Sequence, residues 1–281
     1  MSKYIARYGA MRLLGVFGCP EGRDYPRGVP VILRTDRGLE AGQVLCEATP
    51  PAVERLKDPV EGQILRAMTA EDAHEASRIH DQENEECRVC LRCIAELKLD
   101  MQLVDVEHIF GGERIVVYYL ADGRVDFREL VRKLAGEFQT RIEMRQIGVR
   151  DEAKLMADYG DCGNPVCCNN HLVSMPPVSM KMAKLQKATL DPTKISGRCG
   201  RLKCCLRFEY ENYERVQALL PPIGARVMTP EGRARVVGYE ILAEQLLVER
   251  EDRVRKLVDL ADVSPPEDAK RPGGAANSRG S

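Results

Sequence analysis

Cys162-Gly163-Asn164-Pro165-Val166-Cys167-Cys168 and Cys199-Gly200-Arg201-Leu202-Lys203-Cys204-Cys205 are one pattern written twice, C-G-x-x-x-C-C, with every cysteine displaced by 37 residues. Six of the eleven cysteines fall in these two short segments. Clustered thiolates are the donor set of a soft metal centre, zinc or iron–sulfur. Adjacent cysteines in extended chain point to opposite faces, so one metal takes both members of a doublet only across a sharp turn. The simplest ligand set is therefore Cys162, Cys167, Cys199 and Cys204, two from each half. Cys168 and Cys205 remain for packing, or for a second centre shared with a partner. Gly163 and Gly200 permit a tight turn that aims backbone N–H groups at sulfur. Zinc knuckles use C-x2–4-C pairs with no thiol left over. The third thiol in each half favours a [4Fe–4S] cluster, with zinc the alternative. The bland reading is six thiols packed as small hydrophobes.

The rest of the chain sets the context. Its 281 residues suggest about two domains, and 44% hydrophobic with 30% charged residues is ordinary for a soluble protein. A net charge of −1 gives no global pull toward nucleic acid. No apolar run approaches membrane-span length, and Arg7 and Arg12 interrupt any secretory leader. Eleven cysteines without an export signal imply a reducing, cytoplasmic location, where metal binding is favoured over disulfides.

Working outward gives an α+β chain: a mixed core with a long helix, a Cys-rich metal-binding segment and a small C-terminal β-barrel-like module. Residues 1–65 form an N-terminal β-rich part, with a first strand over 3–18, a hairpin over 31–45, and prolines at 50, 51 and 59 breaking the chain. Residues 66–100 carry one long helix over 70–98, capped by Thr69. Its segment 71–86 holds seven acids against Arg78, the mark of a solvated or partner-facing helix. Cys87, Cys90 and Cys93 resemble the start of a ferredoxin run. A continuous helix spreads them over its surface and no Cys-Pro follows, so helix packing is the expectation. Residues 101–220 form the core: strands at 103–107, 115–120 and 141–148, a helix at 125–138, then the duplicated motif. Residues 221–262 read as a small SH3-like β module, and 263–281 as a disordered tail.

Residues 178–207 carry eight lysines and arginines against Asp191 alone. Lys181, Lys184, Lys187, Arg198, Arg201 and Lys203 are candidates for an RNA phosphate track. The alternative is that they balance an anionic thiolate centre.

Several stretches resemble the YaaT family, the stage-zero sporulation branch of the PSP-one C-terminal superfamily. They are ADGRVDFRELV at 121–131, RIEMRQIGVRDEAK at 141–154, VSMKMAK at 178–184 and PTKISGRCGRLKCC at 192–205. The resemblance runs from about Tyr4 to Leu247. It implies a cytoplasmic bacterial regulator with iron–sulfur clusters, whose metal cysteines correspond to Cys162, Cys167, Cys168, Cys199 and Cys204. It also implies small helical partner proteins of the RicA/RicF kind and action on mRNA processing by a membrane-anchored endoribonuclease. Two classes of function follow. One is a non-catalytic, metal-dependent regulatory scaffold in RNA processing and cell-fate control. The other is a redox-active iron–sulfur enzyme, or a structural zinc RNA-binding protein. No P-loop, Rossmann glycine motif or nucleophile–base signature supports catalysis.

Overall fold

The computed structural model describes residues 2–20, 23–56, 58–156, 159–172 and 176–264. Residues 265–281 of the expected disordered tail lie outside the described residues. The chain forms two compact units, Met1–Pro176 with Ser196–Arg201, and Pro177–Ile195 with Leu202–Ser281.

The first unit begins with a closed barrel. Its strands are β1 (Lys3–Tyr8), β2 (Leu13–Gly18), β3 (Pro30–Thr35), β4 (Gly38–Glu47) and β5 (Val60–Ala67), in the order β1-β2-β5-β3-β4. Closure comes from β1 pairing with β4 and from β2 running parallel to β5. Tyr4, Phe17, Val31, Leu33, Val44 and Ile64 fill the interior. The single strand expected over 3–18 is a hairpin, because Gly9 at φ +69° lets Arg12 N–H fold back onto the Gly9 carbonyl. The proline-rich stretch is no structural end either. After one helical turn, α1 (Pro50–Val53), the chain enters β5 and fills the gap in the barrel.

The long helix is α2 (Ala70–Glu96), and Thr69 caps it as expected. The Thr69 side chain accepts Asp72 N–H at 3.2 Å, and the Asp72 carboxylate accepts Thr69 N–H at 2.8 Å. The Arg66 guanidinium and these bonds hold the Asp72 carboxyl well below the usual carboxylate range. A three-stranded sheet follows: β6 (Gln102–His108), β7 (Arg114–Leu120) and β8 (Arg141–Gln146), in the order β6-β7-β8. The β7–β8 pair is parallel, and α3 (Arg128–Phe138) makes the crossover. Alternation along β7 sends Ile115 and Val117 toward α2 and α3, and sends Val116 and Tyr118 toward Met11 in the β1–β2 turn. The sheet is thus covered on both faces. Helix α4 (Val149–Met156) leads toward the first cysteine motif.

A buried ionic cluster pins the barrel to this sheet. Glu107 of β6 accepts from the Tyr118 hydroxyl at 2.6 Å and from Ala10 N–H at 2.8 Å, and lies 2.7 Å from Arg37 Nη2. Glu40 is 3.3 Å from the same guanidinium and accepts from the Thr35 hydroxyl at 2.6 Å. Burial alone would lower the Arg37 pKa, but Glu107 and Glu40 overcome it and raise the value. A Cβ at Gly9 would stand 2.8 Å from Glu107 Oε1, so the turn fits only without a side chain.

The second unit contains α6 (Met180–Leu185), α7 (Pro192–Ile195) and α8 (Cys205–Leu219). The sheet that follows is β9 (Arg226–Thr229), β10 (Gly232–Glu240), β11 (Gln245–Arg250) and β12 (Arg255–Asp259). Here the structure corrects the sequence reading. This module is an antiparallel four-stranded sheet, order β12-β11-β10-β9, while the closed barrel stands at the other end of the sequence. Tyr213 and Val216 of α8, with Leu185 of α6, pack on Val227, Val236, Leu246 and Val248. A helical layer therefore buries the face that barrel closure would otherwise cover.

Two predictions follow from these contacts. Arg37→Met leaves Glu40 and Glu107 buried without a cation and should cost about 3–5 kcal/mol in urea denaturation. Adding Glu107→Gln to that variant should recover part of the loss; an unchanged unfolding midpoint in Arg37→Met would refute the pinning role. The second concerns His108, whose Nδ1 lies 2.8 Å from Glu86 Oε1 and whose N–H donates to Glu83 Oε1 at 2.9 Å. The Glu86 hydrogen bond raises the His108 pKa against the opposing effect of burial. The contact is then fully stabilising below the ordinary histidine value of about 6.5 and is lost as pH rises through the higher folded value. The melting temperature of the wild type should fall more steeply across that window than that of His108→Gln, and parallel slopes would reject the idea.

Candidate metal centre

The two cysteine motifs have the same backbone. In the first, Gly163 N–H donates to the Gly160 carbonyl at 3.1 Å and Gly160 N–H to the Asn164 carbonyl at 2.8 Å. In the second, Gly200 N–H donates to the Gly197 carbonyl at 2.9 Å and Gly197 N–H to the Arg201 carbonyl at 2.8 Å. Gly163 and Gly200 have φ values of +75° and +70°. Beyond each turn the chain enters a helix. Asn169 and Leu206 N–H groups return to Val166 and Lys203 at 2.9 and 3.1 Å, and His171 and Phe208 to Cys167 and Cys204, both at 3.1 Å. Every bond of the second set is one of the first displaced by 37 residues. The repeat also starts earlier than the cysteines, at Gly160 and Gly197. Each half is a glycine knuckle carrying one thiol, followed by two thiols where a helical turn begins.

The first half ends in a single turn, α5 (Cys167–Asn170), while the second opens α8. None of the six cysteines is in a disulfide; Cys162 and Cys205 are exposed and Cys167, Cys168, Cys199 and Cys204 are partly buried. Cys162, Cys167, Cys168 and Cys199 belong to the first unit, and Cys204 and Cys205 to the second. In the first unit, Arg198 ties the Cys199 turn to the first motif: its Nε donates to the Tyr159 carbonyl at 3.1 Å and lies 3.6 Å from Asp161 Oδ1. Among the described residues no three His, Cys, Asp or Glu side chains are gathered closely enough to hold a metal ion. The chemistry of the donor set nevertheless suits one, since soft, unoxidised and accessible sulfur stands at every repeated position. Burial raises the Cys205 thiol pKa, and the neighbouring Cys204 adds to it; a bound cation would reverse that preference.

Comparison with known proteins places the chain. Residues 62–147 match the PSP1 C-terminal conserved region, and residues 177–220 match the third domain of PSP1-like proteins. The stage 0 sporulation protein YaaT of Bacillus subtilis is 43% identical over 236 residues, which is 82% of this chain and 83% of YaaT. The chain belongs to the PSP1 family, with YaaT. A Schizosaccharomyces pombe protein, named only as uncharacterised, is 26% identical over 140 residues, 41% of this chain and 19% of its own. No solved structure matches.

The conserved PSP1 region covers β5, α2, the three-stranded sheet and α3. The second cysteine motif falls within the third-domain match, and the first motif lies between the two matched segments. The helix cysteines inside the PSP1 region are core residues. Cys90 and Cys93 are 0% exposed and pack with Val106, Leu130 and Leu134. Burial pushes the Cys90 thiol up to about 12, so it is a packing group.

The basic segment is partly committed to the fold. Lys187, at φ +51°, ends α6 and hydrogen-bonds the Tyr239 carbonyl, with Glu240 at 3.0 Å. Lys181 sits 5.8 Å from the Tyr210 ring centre and 3.9 Å from Glu214. Arg198 serves the first motif, as described. The sequence reading did not separate these anchored cations from Lys184. It also missed a group of cations around one cavity of the first unit, Arg7, Arg12, Arg27, Arg145 and Lys154, because segments distant in sequence supply them and no local motif marks them.

The positive φ at the knuckles makes a direct prediction. A Cβ at Gly200 would meet nothing within 4 Å, so Gly200→Ala carries only the left-handed backbone penalty, about 1–2 kcal/mol. Gly136, inside α3 and equally unobstructed, should gain about 0.5–1 kcal/mol on the same change. Denaturation midpoints moving in the same direction for both variants would contradict the knuckle geometry.

Proposed function

We propose that this PSP1-family chain is a non-catalytic cytoplasmic regulatory scaffold that holds a metal centre on its repeated cysteines. It acts with partner proteins in RNA processing and cell-fate control. The observation that carries the reading is the duplicated knuckle: a sequence repeat alone marks ancestry, and the same hydrogen-bonded turn presenting a thiol at the same position twice supports reading the thiols as a paired ligand set. Cys162, Cys167, Cys199 and Cys204 are the proposed ligands, and Cys168 and Cys205 the thiols available to a second centre or a partner. A [4Fe–4S] cluster is preferred to zinc because the donor set exceeds four thiols. When bound, such a cluster supplies a redox- and oxygen-sensitive element. The chain's own residues supply the turns that present sulfur and, through Arg198, the anchoring of the Cys199 turn.

The regulatory role takes support from the similarity to a sporulation protein over most of both chains. Among the described residues no helix is long and apolar enough to cross a membrane, which fits a protein that reaches a membrane-anchored endoribonuclease only through contacts. On α2 Glu71, Asp81 and Glu85 are exposed while Asp72 and Glu86 are buried, so small helical partners of the RicA/RicF kind would meet only that exposed part of the acidic segment. For RNA contact, Lys184 and Arg201 are better placed than Lys187, whose charge is already used; Lys181 retains an exposed ammonium.

The test is metal analysis of protein purified without oxygen. The wild type should be brown, and single Ser substitutions at Cys162, Cys167, Cys199 or Cys204 should each remove most of the metal, whereas Cys90→Ser should keep it. A colourless protein retaining one zinc ion would replace the cluster with a structural zinc site. Equal metal loss from Cys90→Ser would remove the assignment altogether.

A further inference from the structure

A cavity of about 710 Å³ lies wholly within the first unit, walled by β1, the β1–β2 turn, β8, α4 and residues around α5. Its lining is strongly basic: Arg7, Arg12, Arg27, Arg37, Arg145 and Lys154 face it, against Asp36 and Asp58. Arg37 is 7% exposed and already neutralised by Glu40 and Glu107. The other five make no ion pair with a carboxylate among the described residues. Arg7 donates to Gln43 Oε1 at 2.8 Å and Arg12 to the Asn169 carbonyl at 3.4 Å, while the Arg145 guanidinium carbon stands 5.9 Å from the Tyr118 ring centre. Among the described lining residues, five cations against two carboxylates leave an excess of three positive charges, which the second carboxylate behind Arg37 reduces toward two.

Such a concentration of like charge is self-repelling, and low-dielectric walls focus the field. Lys154 shows the strain: burial, with Arg12 adding to it, lowers its pKa despite the opposing Asp151. Arg12 holds its place at φ +48°, a left-handed conformation that costs an arginine more than a glycine or an asparagine. Both features are natural in a site that receives an anion.

We propose that this cavity binds a small molecule ending in a chain of two or three phosphates. A terminal phosphoryl group carries roughly −1.5 to −2 charges at neutral pH and a bridging one about −1, so a chain of two matches the excess. Guanidinium forks pair with phosphate oxygens through parallel N–H bonds, and four of the five unpaired cations are arginines. The volume lies within the roughly 300–1,000 Å³ typical of small-ligand pockets. A nucleic-acid strand without sequence preference instead uses a groove with successive aromatic platforms, and Tyr8 is the one aromatic residue on this wall among the described residues. Leu13, Leu14, Leu45 and Val60 offer apolar surface to the remainder of the molecule. Cys168 also lines the cavity, so an occupant would lie against the first cysteine motif. The proposal uses no thiol as a ligand and stands apart from the metal centre.

Calorimetric titration of the full chain with inorganic tripolyphosphate, and separately with ATP, at fixed ionic strength tests this. One saturable site and a raised melting temperature are expected. Arg145→Gln and Lys154→Gln should each weaken binding about tenfold or more, and Arg132→Gln, on the exposed side of α3 and outside the cavity lining, should leave it unchanged. ATP binding within a few-fold of tripolyphosphate would mean that the phosphate chain alone is recognised; markedly tighter binding of ATP would identify a nucleotide. If Arg145→Gln does not fold, Arg27→Gln at the exposed rim replaces it. Absence of saturable binding, or binding indifferent to the cavity variants, overturns the proposal. A single-stranded RNA oligonucleotide that displaces tripolyphosphate through these same residues also overturns it, in favour of nucleic acid.

Discussion

Glu107 is the residue on which the first unit turns. It lies buried on β6, and its carboxylate is met from three sides: by Arg37 of the β3–β4 turn, by Ala10 N–H of the β1–β2 turn, and by Tyr118 of β7. A charge removed from water is tolerable only with such company, and removing one partner leaves the other exposed to the full desolvation penalty. The cluster therefore does what a purely apolar interface would do less selectively. It fixes which turn of the barrel meets which strand of the sheet, and requires Gly9 at the meeting point. The register of the PSP1 sheet against the barrel follows from that one arrangement. So does the location of the basic cavity, since Arg37 stands in its wall with its charge already spent.

The same sheet explains why two sets of cysteines in one chain have different fates. Ile115 and Val117 require a cover, and the last turns of α2 provide it with Cys90, Cys93 and Ile94. There the thiol is a small apolar filler, held neutral by burial. The motif cysteines sit where the backbone is irregular, at glycine turns and helix starts, with sulfur at least partly accessible. Spacing alone does not separate the two sets. The deciding property is whether the backbone beneath the sulfur is a continuous helix that packs it into the core, or a glycine turn that leaves it at least partly accessible.

Much of the fold was legible because local chemistry and tertiary structure agree. The Thr69 cap, the continuous apolar run of β7, the alternation of β8 and the helix between them are strong local signals, and each element stands within a few residues of its expected place. The hairpin within 3–18 was obscured by an apolar turn, Gly9-Ala10-Met11-Arg12, whose Met11 is a core residue rather than a loop one. Helix α8 was hidden by its own composition, since charged residues fill the positions between the few that pack, Leu206, Tyr210, Tyr213 and Val216. Barrel closure is not legible at either end for a related reason: short strands with turn signals occur at both ends, and only the long-range β2–β5 and β1–β4 pairings distinguish closure from a covered sheet. In the candidate site, the repeat was visible as cysteines, but the glycines at 160 and 197 that complete each knuckle were not.

The duplication also constrains how the chain can vary. A knuckle is a backbone object: the φ of its glycine and its returning N–H bonds set where sulfur stands, while the three residues between that glycine and the doublet are free to differ. They do differ, Asn164-Pro165-Val166 in one half and Arg201-Leu202-Lys203 after the glycine of the other, and the hydrogen bonds are unchanged. Pro165 is tolerated because the turn asks nothing of the N–H at that position. Charge is then free to diverge between the halves, with Asp161 in the first and Arg198 at the corresponding position of the second. These two residues lie 3.6 Å apart. Identical geometry with opposite charge at one repeated position turns a duplication into a complementary pair, and the Arg198 bond to the Tyr159 carbonyl adds direction to what would otherwise be a surface ion pair of little weight.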